Sequence, residues 1–173
     1  MDSVAVIGPG RIGRQIALAF ALGGSRALLR DVKERSRAES DAVLSDARRE
    51  IERDLGLMVE EAVVKPAEAA DALARLEPHV GIDGLGDCGF VQEALPELLD
   101  VKCAALARLR GRIRDDAIVA SASSTISARH LADAVPGPER FLVVHWLNPA
   151  HVIPLVEVVP GATTAPAVVA RTL

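Results

Sequence analysis

The chain has 173 residues, about half of them apolar, and a formal net charge of −4 with acidic and basic residues mixed along its length. This suits one domain with a proper core and gives no basic surface for nucleic acid or an anionic membrane. No apolar run approaches the roughly 20 residues of a membrane span, the start "MDSVAVIG" lacks a signal-peptide pattern, and the two cysteines have neither disulfide nor zinc spacing, so we expect a cytoplasmic protein.

The predicted elements begin with a strand, a helix and a second strand. Val4–Ile7 is a short aliphatic run that ends at a glycine-rich turn. Apolar residues at helical spacing follow until Gly23, and "RALLRD" then predicts a second strand that ends at Asp31. This β-α-β order is typical of a pair of parallel strands joined by a crossover helix.

The same alternation continues along the chain. Charge-rich residues 33–60 have apolar residues at helical spacing and predict a long exposed helix, and Pro66 begins another helix, "PAEAADALARL". "GFVQEAL" and "AIVASAS" are short buried strands, separated by a helix from Pro96 to about Leu109. A short helix, "SARHLADAV", precedes the last two strands, "FLVVHWL" and "IPLVEVV". We therefore predict an α/β, Rossmann-type doubly wound fold with a largely parallel sheet and flanking helices.

The final residues have the start of a helix but no stop signal. Thr164 is a suitable N-cap and Pro166 suits the first turn, whereas no glycine or other stop signal ends the helix by Leu173. This pattern predicts that a helix continues beyond the sequence given, and a short frayed tail is the alternative.

The segment "GPGRIG", which begins at Gly8, follows a strand and opens a helix, as a dinucleotide-binding turn requires. Gly8 allows the tight turn, Gly10 lets a pyrophosphate approach the backbone, and Gly13 lets the helix pack closely on the strand. The helix N-terminus, at Arg11 and Ile12, offers free N–H groups and a partial positive charge to the phosphates. These five residues are predicted to bind a dinucleotide.

Asp31, 18 residues after Gly13, can accept hydrogen bonds from the adenosine ribose. Its charge would repel a 2′-phosphate, which favours NAD over NADP, although the nearby cations Arg30, Lys33 and Arg35 soften that preference. Two alternatives remain open. One is an ordinary βαβ turn without a ligand, and the other is a methyltransferase site for S-adenosylmethionine, which also uses a glycine turn and an acid on the second strand.

Hydride transfer requires a group that takes the hydroxyl proton of the substrate. The chain has no tyrosine, which excludes the tyrosine–lysine mechanism, and histidine suits a pH near 7. We place His79 in a loop, His130 in a short helix and His151 in the turn between the last two strands. His145 lies at the end of a strand, where parallel sheets bind ligands, and Glu157 on the next strand could orient it.

Two other readings of these residues are open. A lone histidine at the end of a strand is more often structural than catalytic. His145 and His151 could also bind a metal ion as a pair, but no third ligand has suitable spacing, so no metal site is predicted.

Five segments together identify a family. They are "VAVIGPGRIG", the strand-ending Asp31, "VQEALPELLDVK", "SASSTI" and "HWLNPAHVIPLVEVV". With them the chain resembles, over essentially its whole length, the NAD-binding domain of the L-3-hydroxyacyl-CoA dehydrogenases. The resemblance implies NAD-dependent oxidation of the 3-hydroxyl of an L-3-hydroxyacyl-CoA. It also implies that His145 is the catalytic base and that Glu157 is the acid paired with it.

The resemblance assigns four further residues. Ser124 matches the residue that hydrogen-bonds the substrate oxygen near the nicotinamide, and Asn148 matches an asparagine beside that ring. Glu97 and Lys102 match cofactor-contacting positions. On sequence grounds alone Glu97 could simply favour a helix N-terminus, and Lys102 could be solvated.

The chain departs from the family pattern in ways that bear on the substrate. Family enzymes continue into an all-helical domain that forms most of a homodimer interface and closes over the substrate, and no such domain is present in this sequence. Gln92, Pro96 and Pro154 are more similar to the branch of L-gulonate 3-dehydrogenase and lambda-crystallin, and "HWLNP" replaces the usual aromatic pair. A dehydrogenase of a small hydroxy acid such as L-gulonate, and a non-catalytic NAD(H)-binding module, are therefore alternatives.

Overall fold

The computed structural model describes residues 3–173, and within this range seven strands form one sheet flanked by six α-helices. Met1 and Asp2, the first residues of the segment predicted to lack a signal-peptide pattern, lie outside the described residues. The strands are β1 (Ser3–Ile7), β2 (Arg26–Asp31), β3 (Leu76–Val80), β4 (Phe90–Glu93), β5 (Ile118–Ser121), β6 (Phe141–Trp146) and β7 (Val156–Pro160). The helices are α1 (Arg11–Leu22), α2 (Arg37–Glu60), α3 (Pro66–Ala74), α4 (Leu99–Ala107), α5 (Ala128–Ala132) and α6 (Pro166–Thr172).

The strand order is β3-β2-β1-β4-β5-β6-β7. All neighbouring strands are parallel except β7, which runs antiparallel to β6. The order reverses between β1 and β4, so the chain winds outward to both sides of β1. This arrangement confirms the predicted doubly wound, largely parallel sheet. In such folds ligands bind in the crevice at the carboxyl ends of the strands, beside the reversal.

Both faces of the sheet are covered, and successive residues of β1 pack on opposite sides. Val4 and Val6 belong to the core beneath α1, whereas Ala5 and Ile7 belong to the core on the opposite face, with Leu106 of α4. Because side chains alternate between the two faces of a strand, a strand that is covered on both sides consists of apolar residues throughout.

Helix α2 begins at a capping box and buries a narrow stripe. The Ser36 hydroxyl accepts a hydrogen bond from the Glu39 N–H, and the Glu39 carboxylate accepts one from the Ser36 N–H. Ala47, Ile51 and Leu55 pack against the core, and most of the rest of the helix faces solvent. None of the helices within residues 3–173 is both long enough and apolar enough to cross a membrane.

The edge strand β3 was not predicted from the sequence. The prediction continued the preceding helix to Leu76 and placed His79 in a loop, and both assignments were wrong. Helix α3 instead ends at Ala74, and residues 76–80 pair with β2. Burial alternates along β3, and Pro78 is tolerated because an edge strand needs hydrogen bonds on one side only.

The start of one helix and the N-cap of another also differ from the prediction. Helix α4 begins at Leu99 rather than at Pro96. Helix α6 begins at Pro166 as predicted, but its N-cap is Ala165. The Thr164 hydroxyl does not cap that helix, because it accepts a hydrogen bond from the Gly161 N–H and donates one to the carbonyl of residue 141.

Candidate functional site

The turn between β1 and α1 has the geometry that a phosphate-binding turn requires. Gly8 has a φ of 110°, and a Cβ there would lie 2.6 Å from the carbonyl oxygen of Ala94. A Cβ at Gly13 would overlap the carbonyl oxygen of Gly8, so only glycine allows the helix to pack this closely. Gly10 has no atom within 4 Å of its Cβ position, which leaves open space above the backbone for a ligand.

The N-terminus of α1 faces this open space without a competing anion. Gly10 is the N-cap, no side chain caps the helix, and the first turn contains no acidic residue. The side chain of Arg11 is exposed and that of Ile12 is half-buried. The first N–H groups of a helix have no partner within it and carry a partial positive charge, so this end suits a pyrophosphate.

Asp31 lies at the end of β2 with its side chain 2% exposed. Its Oδ1 accepts hydrogen bonds from the Lys33 N–H at 3.4 Å and from Arg35 at 3.3 Å, whereas its Oδ2 lies 3.3 Å from Arg35 Nε in an ion pair but accepts no hydrogen bond from the described residues. This buried oxygen can therefore still accept a hydrogen bond, which a ribose hydroxyl would donate. The open turn, the uncapped helix and this oxygen together fit a dinucleotide.

Strands β6 and β7 bring His145 and Glu157 together. The two residues are directly opposite in the antiparallel register, and His145 Nδ1 lies 2.7 Å from Glu157 Oε2. The side chains are 29% and 60% exposed, respectively. A carboxylate at this distance assigns the proton to Nδ1, which leaves Nε2 as an acceptor.

A pocket of about 330 Å³ opens beside His145. Its lining combines Ser124 from the loop after β5, Arg129 from α5 and Glu157 from β7. The structure thus places the three residues predicted to be catalytic, His145, Glu157 and Ser124, around one cavity near the carboxyl ends of β5 and β6. A concave site with converging polar groups is where substrates bind.

Asn148 and the three other histidines lie outside this pocket. Asn148 is exposed in the turn after β6, and His151 follows in the same turn, where burial lowers the pKa of its imidazole. His130 Nδ1 lies 3.1 Å from the Ser127 hydroxyl. His79 is on β3, at the far edge of the sheet.

A buried ion pair beside the crevice involves Glu93, which the sequence analysis missed. Lys102 Nζ lies 2.9 and 3.0 Å from the two carboxylate oxygens of Glu93, and the two side chains are 1% and 0% exposed. The same Nζ donates to the Leu95 carbonyl at 3.1 Å and lies 3.4 Å from Glu97. Lys102 is therefore not solvated. A glutamate at the end of a fully buried strand was the available signal.

Glu97 holds the loop that carries Ser124. Its Oε1 accepts hydrogen bonds from the backbone N–H groups of residues 124–126 at 2.8–3.3 Å, and from the hydroxyls of Ser123 and Thr125. Partial burial raises the pKa of Glu97, but the hydrogen bonds from Ser123 and Thr125 and the charge of Lys102 outweigh it and lower that pKa to about 2.

The unusual residues Gln92 and Trp146 form one structural unit. Gln92 is fully buried and accepts a hydrogen bond from the Trp146 indole N–H at 3.3 Å. The indole packs edge-on against Phe20 of α1, with ring centroids 5.4 Å apart. Gln92 and Trp146 therefore lie in the interior beneath α1, and neither lines the pocket at His145.

Comparisons with known proteins agree with this geometry. The family model for the NAD-binding domain of 3-hydroxyacyl-CoA dehydrogenase matches residues 3–173. The chain is 37% identical over 169 residues to the fatty acid oxidation complex subunit alpha of Pseudomonas paraeruginosa. That match covers 98% of this chain and 23% of the relative, so the chain spans about a quarter of the relative's length.

Solved structures give the same result. The chain superposes on 3-hydroxybutyryl-CoA dehydrogenase from Escherichia coli with a TM-score of 0.89 and 34% identity, covering 98% of this chain and 34% of that one. For (S)-3-hydroxybutyryl-CoA dehydrogenase from Ralstonia eutropha the TM-score is 0.86 at 28% identity, covering 99% and 58%. The chain therefore belongs to the 3-hydroxyacyl-CoA dehydrogenase family, and it corresponds to the NAD-binding domain of that family.

Proposed function

We propose that this chain binds NAD and takes part in oxidising the 3-hydroxyl group of an L-3-hydroxyacyl-CoA, with His145 as the general base. The observation that carries the proposal is the 2.7 Å contact between His145 Nδ1 and Glu157 Oε2, in a pocket that Ser124 also lines. The names of the relatives, which include a fatty acid oxidation subunit and two 3-hydroxybutyryl-CoA dehydrogenases, support an acyl-CoA substrate.

In this proposal each residue of the site has a separate role in the reaction. Bound NAD supplies the acceptor for the hydride that leaves the hydroxyl-bearing carbon. His145 Nε2 accepts the hydroxyl proton, while its Nδ1–H donates to Glu157, which holds the tautomer and stabilises the imidazolium that forms. The Ser124 hydroxyl hydrogen-bonds the substrate oxygen, and Glu97 fixes the loop on which Ser124 lies.

The cofactor is assigned to the crevice at the carboxyl ends of β1, β2 and β4. The glycine turn and the start of α1 receive the pyrophosphate, Asp31 receives the ribose, and Asn148 and Glu97 lie on the nicotinamide side. Lys102 does not contact the cofactor directly in this proposal, because its ammonium is enclosed by Glu93 and Leu95. It instead positions Glu97 through their ion pair. The pyrophosphate-binding residues are Gly8, Gly10, Arg11, Ile12 and Gly13.

The substitution His145→Gln tests the base. Glutamine is polar and of similar length, but it cannot take up a proton at neutral pH. We expect kcat to fall by about 10²–10⁴. The Kd for NAD, measured by titration calorimetry, should stay within about twofold, because the imidazole acts on the substrate proton. The matched control is His79→Gln at the far edge of the sheet, which should change neither quantity. Full kcat in the His145 variant would eliminate His145 as the base.

A second candidate is an NAD(H)-binding module with little turnover. It is favoured by the exposure of the His145–Glu157 pair, because the two side chains are 29% and 60% exposed and solvent therefore reaches both of them. Closure by a helical domain of the kind the family carries, together with homodimer formation through it, would complete the site. We expect NAD binding by this chain alone, and efficient NADH formation only when that domain is joined to it. Efficient turnover by the 173-residue chain would refute this second candidate.

A further inference from the structure

The cluster of Glu93, Lys102 and Glu97 contains two carboxylates and one ammonium. Lys102 Nζ is within 3.0 Å of both Glu93 oxygens and 3.4 Å from Glu97 Oε2. Its remaining contact, the Leu95 carbonyl, is neutral. One negative charge is therefore left over. Glu97 is the outward member of the cluster, with 34% of its side chain exposed, and the other two members are buried behind it.

The cluster underlies the half of the crevice that a nicotinamide would occupy. Asp31 on β2 and the turn after β1 assign the adenosine ribose and the pyrophosphate to one side of the reversal in strand order. The other nucleotide must then extend over β4 and β5, toward His145 on β6. Glu93 is the last residue of β4, and Glu97 is bound to the loop after β5.

We propose that this cluster makes the site prefer the oxidised cofactor over the reduced one. The nicotinamide ring of NAD is a cation and that of NADH is neutral, so a net negative charge attracts only the former. Glu97 supplies the charge that faces the ring, and the Glu93–Lys102 pair positions it. The inference rests on the proposed function, because it requires NAD to lie in this crevice. Its consequence is that the reduced product is held less tightly than a neutral site would hold it.

The test compares two variants of Glu97 in the full chain. Glu97→Gln keeps the length of the side chain and removes the charge, whereas Glu97→Asp keeps the charge and disturbs the contacts to the loop. The Kd values for NAD and for NADH are measured by titration calorimetry, and the readout is their ratio. For Glu97→Gln we expect the preference for NAD to fall roughly three- to tenfold. For Glu97→Asp both Kd values should rise in parallel, with the ratio preserved.

The control is Asp100→Asn, which removes an exposed negative charge from the first turn of α4. Solvent and salt screen such a charge, so the ratio should not change. A purely structural role for Glu97 would raise both Kd values in both variants and leave the ratio constant, and that result would overturn the inference. An equal change of ratio in Glu97→Asp would overturn it as well. If the unaltered chain bound neither NAD nor NADH, the proposed function itself would fail.

Discussion

Alanine substitutions at two glycines of the same turn should have different effects: one should destabilise the fold, and the other should weaken the binding of NAD. In Gly13→Ala the new methyl group overlaps the backbone carbonyl oxygen of Gly8, which cannot rotate away. Overpacking of this kind costs about 3 kcal/mol, from which the better helix propensity of alanine recovers about 1 kcal/mol. The net loss of about 2 kcal/mol should lower Tm by about 4–8 °C in a chain of this length.

Gly10→Ala should leave the folded state nearly unchanged. Gly10 has a φ of −68° and a ψ of 179°, which any residue adopts, and nothing lies within 4 Å of its Cβ position. The loss of a favourable N-cap and the lower entropy of the unfolded chain each amount to about 0.5–1 kcal/mol with opposite signs. The methyl group would, however, stand where the pyrophosphate approaches, so the affinity for NAD should fall at least about tenfold.

Thermal unfolding and NAD titration of the two variants separate these effects. We expect a lowered Tm for Gly13→Ala, and an unchanged Tm with weakened NAD binding for Gly10→Ala. The reasoning about the turn would be refuted if Gly10→Ala bound NAD as tightly as the unaltered chain, or if the two substitutions destabilised the fold equally.

Three further predictions concern the charged residues. The folded pKa of Glu97, about 2, is below its ordinary value of 4.5, so its contribution to stability is fully present above pH 4.5 and is lost as the pH falls toward 2. After discounting for its partial exposure, this contribution is about 1–2 kcal/mol. The difference in free energy of unfolding in urea between the unaltered chain and Glu97→Gln should therefore shrink as the pH falls from 4.5 toward 2. A difference that stays constant over these pH values would contradict the prediction. Lys102→Met leaves Glu93 buried without its cation and should cost about 3–5 kcal/mol in urea unfolding, part of which adding Glu93→Gln should restore; a loss below about 1 kcal/mol would contradict the buried pair. Asp31→Ser should weaken NAD binding about tenfold and reduce the ratio by which the chain prefers NAD to NADP. An unchanged ratio of the two affinities would contradict the proposal that Asp31 binds the ribose and disfavours NADP.

Local patterns were sufficient to predict six of the seven described strands and the glycine turn. The buried strands are short aliphatic runs, and a turn between strand and helix leaves a local signature at Gly8 and Gly13. The edge strand at residues 76–80 was missed because it contains Glu77 and Pro78, which interrupt the apolar pattern that marks a strand. An edge strand tolerates such residues because it forms hydrogen bonds on one side only.

The site was predictable where the partners are close in sequence and topology. His145 and Glu157 lie on adjacent strands joined by one turn, so their pairing follows from the chain direction. The contacts of Glu97 with residues 123–126 cross between two loops about 27 positions apart, and no local pattern encodes them. The burial of Lys102 could not be predicted because it depends on Glu93, a partner nine positions away on another element.

The most direct test of the proposed function uses this chain joined to a helical domain of the kind the family carries. The formation of NADH from L-3-hydroxybutyryl-CoA and from L-gulonate is measured by the absorbance of NADH. The two substrates share a hydroxyl group to oxidise and differ in whether a thioester of coenzyme A accompanies it. We predict NADH formation from the acyl-CoA with a kcat/KM at least roughly tenfold above that for L-gulonate. An equal or higher kcat/KM for L-gulonate, or no NADH from either compound, would contradict the account.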